Sequence, residues 1–216
     1  TLHKHGGSMK KLEFALAALL FATPTFAEPA PETKEVSPAT NSVVTLCRTG
    51  YYNRESVQCQ TREFLERRGT DLVYLVRRDG GEPAELVVTK DLSTKVRPFP
   101  PAMYAPHSYF LQFPLHVGKS WQGTFVQTSG NQTHQRTRTA KVTGYEDVML
   151  KAGTFKAYKI EAYNQLSTAM RPAVEIYFYC PELGVICSYE SREFDIREEV
   201  VATSRREVSI GVDATR

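Results

Sequence analysis

The chain has 216 residues, 24% of them charged, and a formal net charge of +3. Its hydrophobic share of 41% suffices for one ordinary folded domain, and its charge balance gives no reason to expect a nucleic-acid partner.

The first element is a targeting signal. Met9-Lys10-Lys11 is a short positive start, and Phe14 to Ala22 is an apolar run of nine residues. Thr25-Phe26-Ala27 supplies the small residues that a signal peptidase reads, which places cleavage after Ala27. The apolar run is too short for a bilayer, which needs about 20 residues. Residues 1–8 read as an over-called start upstream of Met9, residues 9–27 as the signal peptide, and residues 28–42 as a disordered leader rich in Pro, Glu, Thr and Ser. Residues 43–216 form the expected single β domain. Removing residues 1–27 takes away Lys4, Lys10, Lys11 and Glu13, so 27 basic and 24 acidic residues become 24 and 23. The expected destination is the periplasm or the medium, with no transmembrane segment left after cleavage.

Four cysteines follow the signal: Cys47, Cys59, Cys180 and Cys187. An even count in an exported chain suggests disulfides. Cys47 and Cys59 flank a stretch whose centre is Asn53, and a hairpin there sets them face to face. A hairpin centred between Leu183 and Gly184 places Cys180 opposite Cys187. That register puts Ile176, Phe178, Cys180, Val185, Cys187 and Tyr189 on one face. The spacings do not match the short knuckles of a zinc site.

Strands are expected along the rest of the chain. Residues 56–68 read as a strand, although "REFLERRG" also suits a helix. Residues 71–91 hold two β-rich runs around Asp79-Gly80-Gly81. A Pro-rich segment, 98–114, separates these from a hairpin of 121–128 and 133–143. Glu146-Asp147 has the look of a turn. Residues 155–166 alternate, with Tyr158, Ile160 and Ala162 on one side. Residues 174–180, 185–190, 193–204 and 207–212 complete the series, the last two as charge-guarded edge strands. No convincing helical stripe occurs in the mature chain. The class is all-β: a mostly antiparallel meander forming a barrel, half-barrel or sandwich.

Few residues point to chemistry. Gly118-Lys119-Ser120 has the ending of a phosphate-binding loop, but Phe113 stands where the first glycine is required and Pro114 lacks an N–H. No catalytic, cofactor-binding or metal-ligating set is legible. His134, Arg136 and Arg138 share a strand face with Ala140 and Val142. Such a face is ordinarily solvated, and the alternative is that it attracts an anion. Phe99, Tyr104, Tyr109, Phe110, Phe113 and Trp121 gather around prolines. They form either a ligand-binding mouth or, as the favoured reading, a crossover that caps the core with Trp121 as its plug.

Three pieces carry a family resemblance: "FPLHVGKSWQG", "VTGYEDVMLKAGTFKAYKIEA" and "IYFYCPELGVICSYE". Their order and spacing resemble exported bacterial β domains of unknown function, including the TapB-like group. The matching positions are Phe113, Pro114, Leu115, Gly118 and Trp121, then Gly144, Glu146, Val148, Ala152, Gly153, Thr154, Phe155, Ala157 and Ile160. In the last piece they are Tyr179, Pro181 and Gly184. Cys180 and Cys187 depart from that pattern, as an added staple. The resemblance covers residues 98–191 and implies no catalytic residues.

The leading expectation is an exported, non-enzymatic β domain that binds an apolar or envelope-derived ligand, such as a lipid-like molecule. The alternatives are an interaction module for an envelope protein, working through an exposed edge strand or the Pro-rich aromatic loop, and an envelope-directed hydrolase.

Overall fold

The structure is a computed structural model that describes residues 32–33, 42–50, 57–192 and 196–205. The signal segment, most of the leader, the turn around Asn53 and the expected strand 207–212 lie outside those residues.

Twelve strands form one closed antiparallel barrel. They are β1 (Ser42–Thr49), β2 (Gln58–Arg68), β3 (Asp71–Arg78), β4 (Ala84–Thr89), β5 (Thr94–Pro98) and β6 (Pro101–Ala105). The second half comprises β7 (Ser120–Ser129), β8 (Gln132–Leu150), β9 (Gly153–Leu166), β10 (Ala173–Cys180), β11 (Val185–Ser191) and β12 (Ile196–Arg205). Each strand lies beside its sequence neighbours, and β12 closes the ring on β1. The barrel therefore has no free edge. This corrects the reading of residues 193–204 as an edge strand: β12 pairs with both β1 and β11.

The inward face follows from the alternation of each strand. Leu72, Tyr74 and Val76 of β3, Val142 of β8, Ile160 of β9 and Tyr177 of β10 are all buried in one apolar cluster. Residues of opposite parity on β8 and β9, among them Gln135, Thr139, Lys141, Lys159 and Glu161, point away from it. That outer chemistry is wrong for acyl chains, so β8 and β9 are not the wall of a membrane barrel.

A ring of twelve strands is wider than the eight whose interior side chains alone can fill. Here the chain fills part of the space itself. Residues 106–119, between β6 and β7, turn Leu111, Phe113 and Leu115 into the main cluster, while Gln112, Pro114, His116 and Val117 between and after them stay exposed. Their backbone is satisfied from within. Ser93 Oγ donates to Leu111 O at 3.0 Å, Tyr177 OH to Phe110 O at 2.6 Å, and Trp121 Nε1 to Tyr109 O at 3.1 Å. Tyr109 has φ of 51°, the left-handed region, and its ring lies over Gly123. At the exit Gly118 turns with φ of 91° and donates its N–H to Val142 O. Lys119 Nζ donates to Pro114 O. The Gly-Lys-Ser sequence is thus a turn that ends the plug.

The long β8–β9 hairpin extends to the Leu150–Gly153 pair, so Glu146 and Asp147 lie in a strand and not in a turn. Its far end joins a second cluster, in which Leu150 and Ala157 are buried with Val44, Leu46, Val200 and the Cys180–Cys187 bridge. Leader residue Thr33 pairs with Leu115 of the plug, and its hydroxyl reaches Tyr158 OH at 3.3 Å.

Both cysteine pairs are bonded. Cys47 and Cys59 are direct cross-strand partners with Cα atoms 4.0 Å apart. Cys180 and Cys187 have Cα atoms 5.8 Å apart, but their register differs from the expected one. Cys180 pairs with Val185, and an irregularity at Phe178/Tyr179 takes up one residue, leaving Cys187 without a direct partner. The turn closes one residue earlier because Leu183 and Gly184 both donate to Cys180 O. The one-residue shift puts Tyr177, and not Phe178, opposite Tyr189.

Candidate functional site

The part of the barrel that residues 106–119 leave free holds a cavity of about 580 Å³. Its wall draws on strands from around the whole ring. Tyr104, Phe110, Phe125 and Tyr189 supply aromatic surface, and Arg48, Arg78, Arg97, Arg136 and Arg138 supply guanidiniums. Among the described residues one carboxylate, Glu175, lines the same space.

Arg138 and Glu175 form the floor. The pair is nearly inaccessible, with side-chain exposures of 3% and 5% and a separation of 2.9 Å. Register builds it. Arg138 is the cross-strand partner of Asn164, and Asn164 lies diagonal to Glu175 through its pairing with Ala173. Asn164 Nδ2 and Tyr189 OH both donate to Glu175 Oε1, at 3.1 and 3.2 Å. Arg138 also donates to Ser108 O of the plug, and its guanidinium carbon lies 3.9 Å from the Phe110 ring centroid. Burial on its own would lower the Arg138 pKa, but Glu175 together with Tyr177, Tyr189 and Tyr104 outweighs it and raises the pKa. Burial pushes Tyr189 and Tyr177 up, so both are neutral donors near neutral pH.

A second carboxylate stands behind the wall. Glu198 of β12 accepts from Arg48, at 3.0 Å to Nη2, and from Arg62, at 3.3 Å. Burial alone would raise its carboxyl, but Arg62 and Arg48 hold it below the ordinary range.

The remaining arginines have no such partner among the described residues. Arg97 Nε donates to Pro100 O at 3.0 Å, and its guanidinium lies 5.7 Å from the Tyr104 ring. Burial pulls its pKa down, and Arg48 adds like-charge repulsion. Arg78 donates to Gln58 and lies over Phe99. Arg136, opposite Phe125, has a buried Nε with no hydrogen bond.

The structure divides the aromatic set read from the sequence. Tyr104 and Phe110 line the cavity. Phe113 packs on Tyr179 at 5.3 Å and Trp121 is buried, both in the filled part. Tyr109 covers Gly123, and Phe99 sits beneath Arg78. The face of Arg136 and Arg138 is not the solvated outer face but the lumen. Phe125 and Tyr189 were legible only as members of strands. Arg48 and Arg97 carry no signal in the sequence, because distant strands bring them together.

Fold and cavity together define a closed up-and-down barrel with a self-plugged lumen. No protein-family model matches the chain, and no curated protein matches it. Neither comparison extends the TapB-like resemblance of residues 98–191. Solved structures do match. A Bacteroides fragilis protein described as exported, with a YmcC-like fold, aligns at a TM-score of 0.54 and 12% identity over 80% of this chain and 100% of its own. That likeness is one of fold alone. A lipoprotein from Parabacteroides distasonis aligns at a TM-score of 0.47 and 7% identity, over 81% of this chain and 100% of its own. The hypothetical lipoprotein YmcC of Escherichia coli aligns at 0.47 and 11% identity, over 78% of this chain and 89% of its own.

Proposed function

We propose that the protein is exported to the periplasm or the medium and takes a small envelope-derived ligand into the free part of its lumen, without catalysing a reaction on it. The observation that carries this reading is the partly filled barrel. Leu111, Phe113 and Leu115 of segment 106–119 fill one part, and about 580 Å³ lined by aromatic rings and arginines is left in the other. That volume suits a molecule of a few hundred daltons. The signal sequence and the two disulfides support an oxidising destination.

Binding accounts for the wall better than hydrolysis does. The described lining has one carboxylate, held by Arg138, Asn164 and Tyr189, and contains no serine, cysteine or histidine. The closed ring also removes the free edge strand that a strand-adding interaction module needs.

Native mass spectrometry of the protein recovered from its own envelope tests the reading. A retained mass of a few hundred daltons, released on unfolding, is the expected result. A bare chain mass at every collision energy would reject it.

A further inference from the structure

The mature chain is close to neutral, yet its cavity is not. Among the described lining residues five guanidiniums face one carboxylate, a surplus of four positive charges. Including the wall behind adds Arg62 and Glu198 and leaves the surplus unchanged. Charges of one sign inside a low-dielectric wall repel each other and lose hydration, so an unoccupied lumen of this kind destabilises the fold. Arginine is the side chain suited to gripping a carboxylate or phosphate with two parallel N–H bonds.

The five are not equivalent. Arg138 is committed to Glu175 and Ser108 O, and Arg48 to Glu198. Arg78 is held by Gln58. Neither Arg97 nor Arg136 has a carboxylate at ion-pair distance among the described residues, although Glu198 acts on Arg97 from behind the wall, and Arg136 Nε is buried with no hydrogen bond. They reach the cavity from β5 and β8, next to Tyr104 and Phe125.

Building on the luminal-binding reading, we infer that the ligand is an organic acid. Arg97 and Arg136 grip its carboxylate or phosphate head, and the aromatic wall of Tyr104, Phe110, Phe125 and Tyr189 holds an apolar or ring-shaped body. The ion pair of Arg138 and Glu175 is a positioning element that fixes Phe110 and the plug beneath the site. An acyl chain and a sugar ring both suit such a wall, so the acid can come from a lipid or from an acidic saccharide.

Isothermal titration of the folded chain tests this with decanoate, decyl phosphate, a galacturonate disaccharide and uncharged decanol. At least one acid is expected to bind about tenfold or more tighter than decanol, the worth of a charge-assisted hydrogen bond. Its affinity should fall as salt rises. The double variant Arg97→Gln/Arg136→Gln should lose that advantage while its melting temperature stays level or rises, since two repelling charges are gone, and Arg97→Lys/Arg136→Lys should keep the salt-dependent attraction at reduced affinity, since an ammonium cannot make the two parallel bonds. Should the glutamine variant fail to fold, the lysine variant and the salt series still decide. Binding of decanoate but not of the saccharide assigns a lipid acid, and the reverse a sugar acid. Decanol binding as well as the acids, with no effect of salt, would overturn the acid inference and leave the luminal site standing. A neutral molecule retained in native mass spectrometry would do the same. Absence of any probe binding together with absence of any retained mass would overturn both.

Discussion

Arg138 Nη2 stands 2.9 Å from Glu175 Oε2, in a pair sealed between the plug and the lumen. The bond joins β8 to β10 across β9, and the same guanidinium anchors Ser108. Removing one partner of a buried pair leaves an uncompensated charge, at a cost of roughly 3–5 kcal/mol. Glu175→Gln is therefore expected to lower the unfolding free energy in urea by about that amount. Arg138→Met combined with Glu175→Leu should cost much less than the two single changes added together, because it leaves no unpaired charge. Equal costs for the double and the summed singles would contradict the pairing.

Tyr109 leaves no room for a side chain at position 123. A Cβ on Gly123 would lie 2.3 Å from Tyr109 Cγ, so Gly123→Ala must displace the ring. That movement pulls at the Trp121 Nε1 bond to Tyr109 O. Overpacking of this kind costs about 1–3 kcal/mol. Adding Tyr109→Ala should relieve the clash, so that Gly123→Ala has little further effect in that background. Thermal unfolding of the four proteins of the cycle measures it.

The disulfides separate two effects. Chain entropy alone favours the Cys47–Cys59 loop over the shorter Cys180–Cys187 loop, by roughly 0.5 kcal/mol. Burial favours the other bridge: Cys180 and Cys187 are fully buried in the second cluster, whereas Cys47 and Cys59 are only half-buried. Lost packing of two buried side chains outweighs so small an entropic difference. Cys180→Ala/Cys187→Ala is accordingly expected to lower the melting temperature more than Cys47→Ala/Cys59→Ala. The opposite order would mean that loop closure dominates.

Acid should reach the fold through Glu198. Its carboxyl is held below the ordinary value in the folded chain by Arg62 and Arg48. A depressed carboxylate contributes stability that is fully present above the unfolded value of about 4.3 and is lost as pH falls through the folded one. Glu198→Gln should lower stability at pH 7 and flatten its decline below about pH 4. Parallel urea titrations at pH 7 and pH 3 check this, and an undiminished acid decline in the variant would exclude Glu198 as a contributor.

The strands were legible because period-two alternation survives in residues such as Tyr158, Ile160 and Ala162. The cross-strand meeting of Cys47 and Cys59 was legible because the two stand symmetrically about Asn53 in the sequence. The register of Cys180 and Cys187 was not, since a bulge leaves no mark in hydrophobic pattern. Closure of the ring was hidden for a different reason: the β1–β12 pairing links residues about 150 positions apart, such as Arg48 and Glu198. The plug was legible only in part. The prolines and aromatics of the segment read as a crossover capping the core with Trp121 as its plug, but not as a segment that places Leu111, Phe113 and Leu115 inside a closed ring. The cavity depends on both of these features. The common face of Arg136 and Arg138 could be read from spacing, but whether it met water or the lumen depended on the closure.

The central claim is that the free part of the lumen is a binding site. Gln127 lines it from β7, beside Tyr104 on β6. Gln127→Trp should fill part of the cavity without touching the plug or the Arg138–Glu175 pair. Native mass spectrometry of this variant and of the parent, prepared from the same envelope, is the most direct measurement. The account predicts a retained acidic mass on the parent and a chain without it for Gln127→Trp, at similar melting temperatures. Equal retention by both would place the ligand elsewhere and contradict the claim.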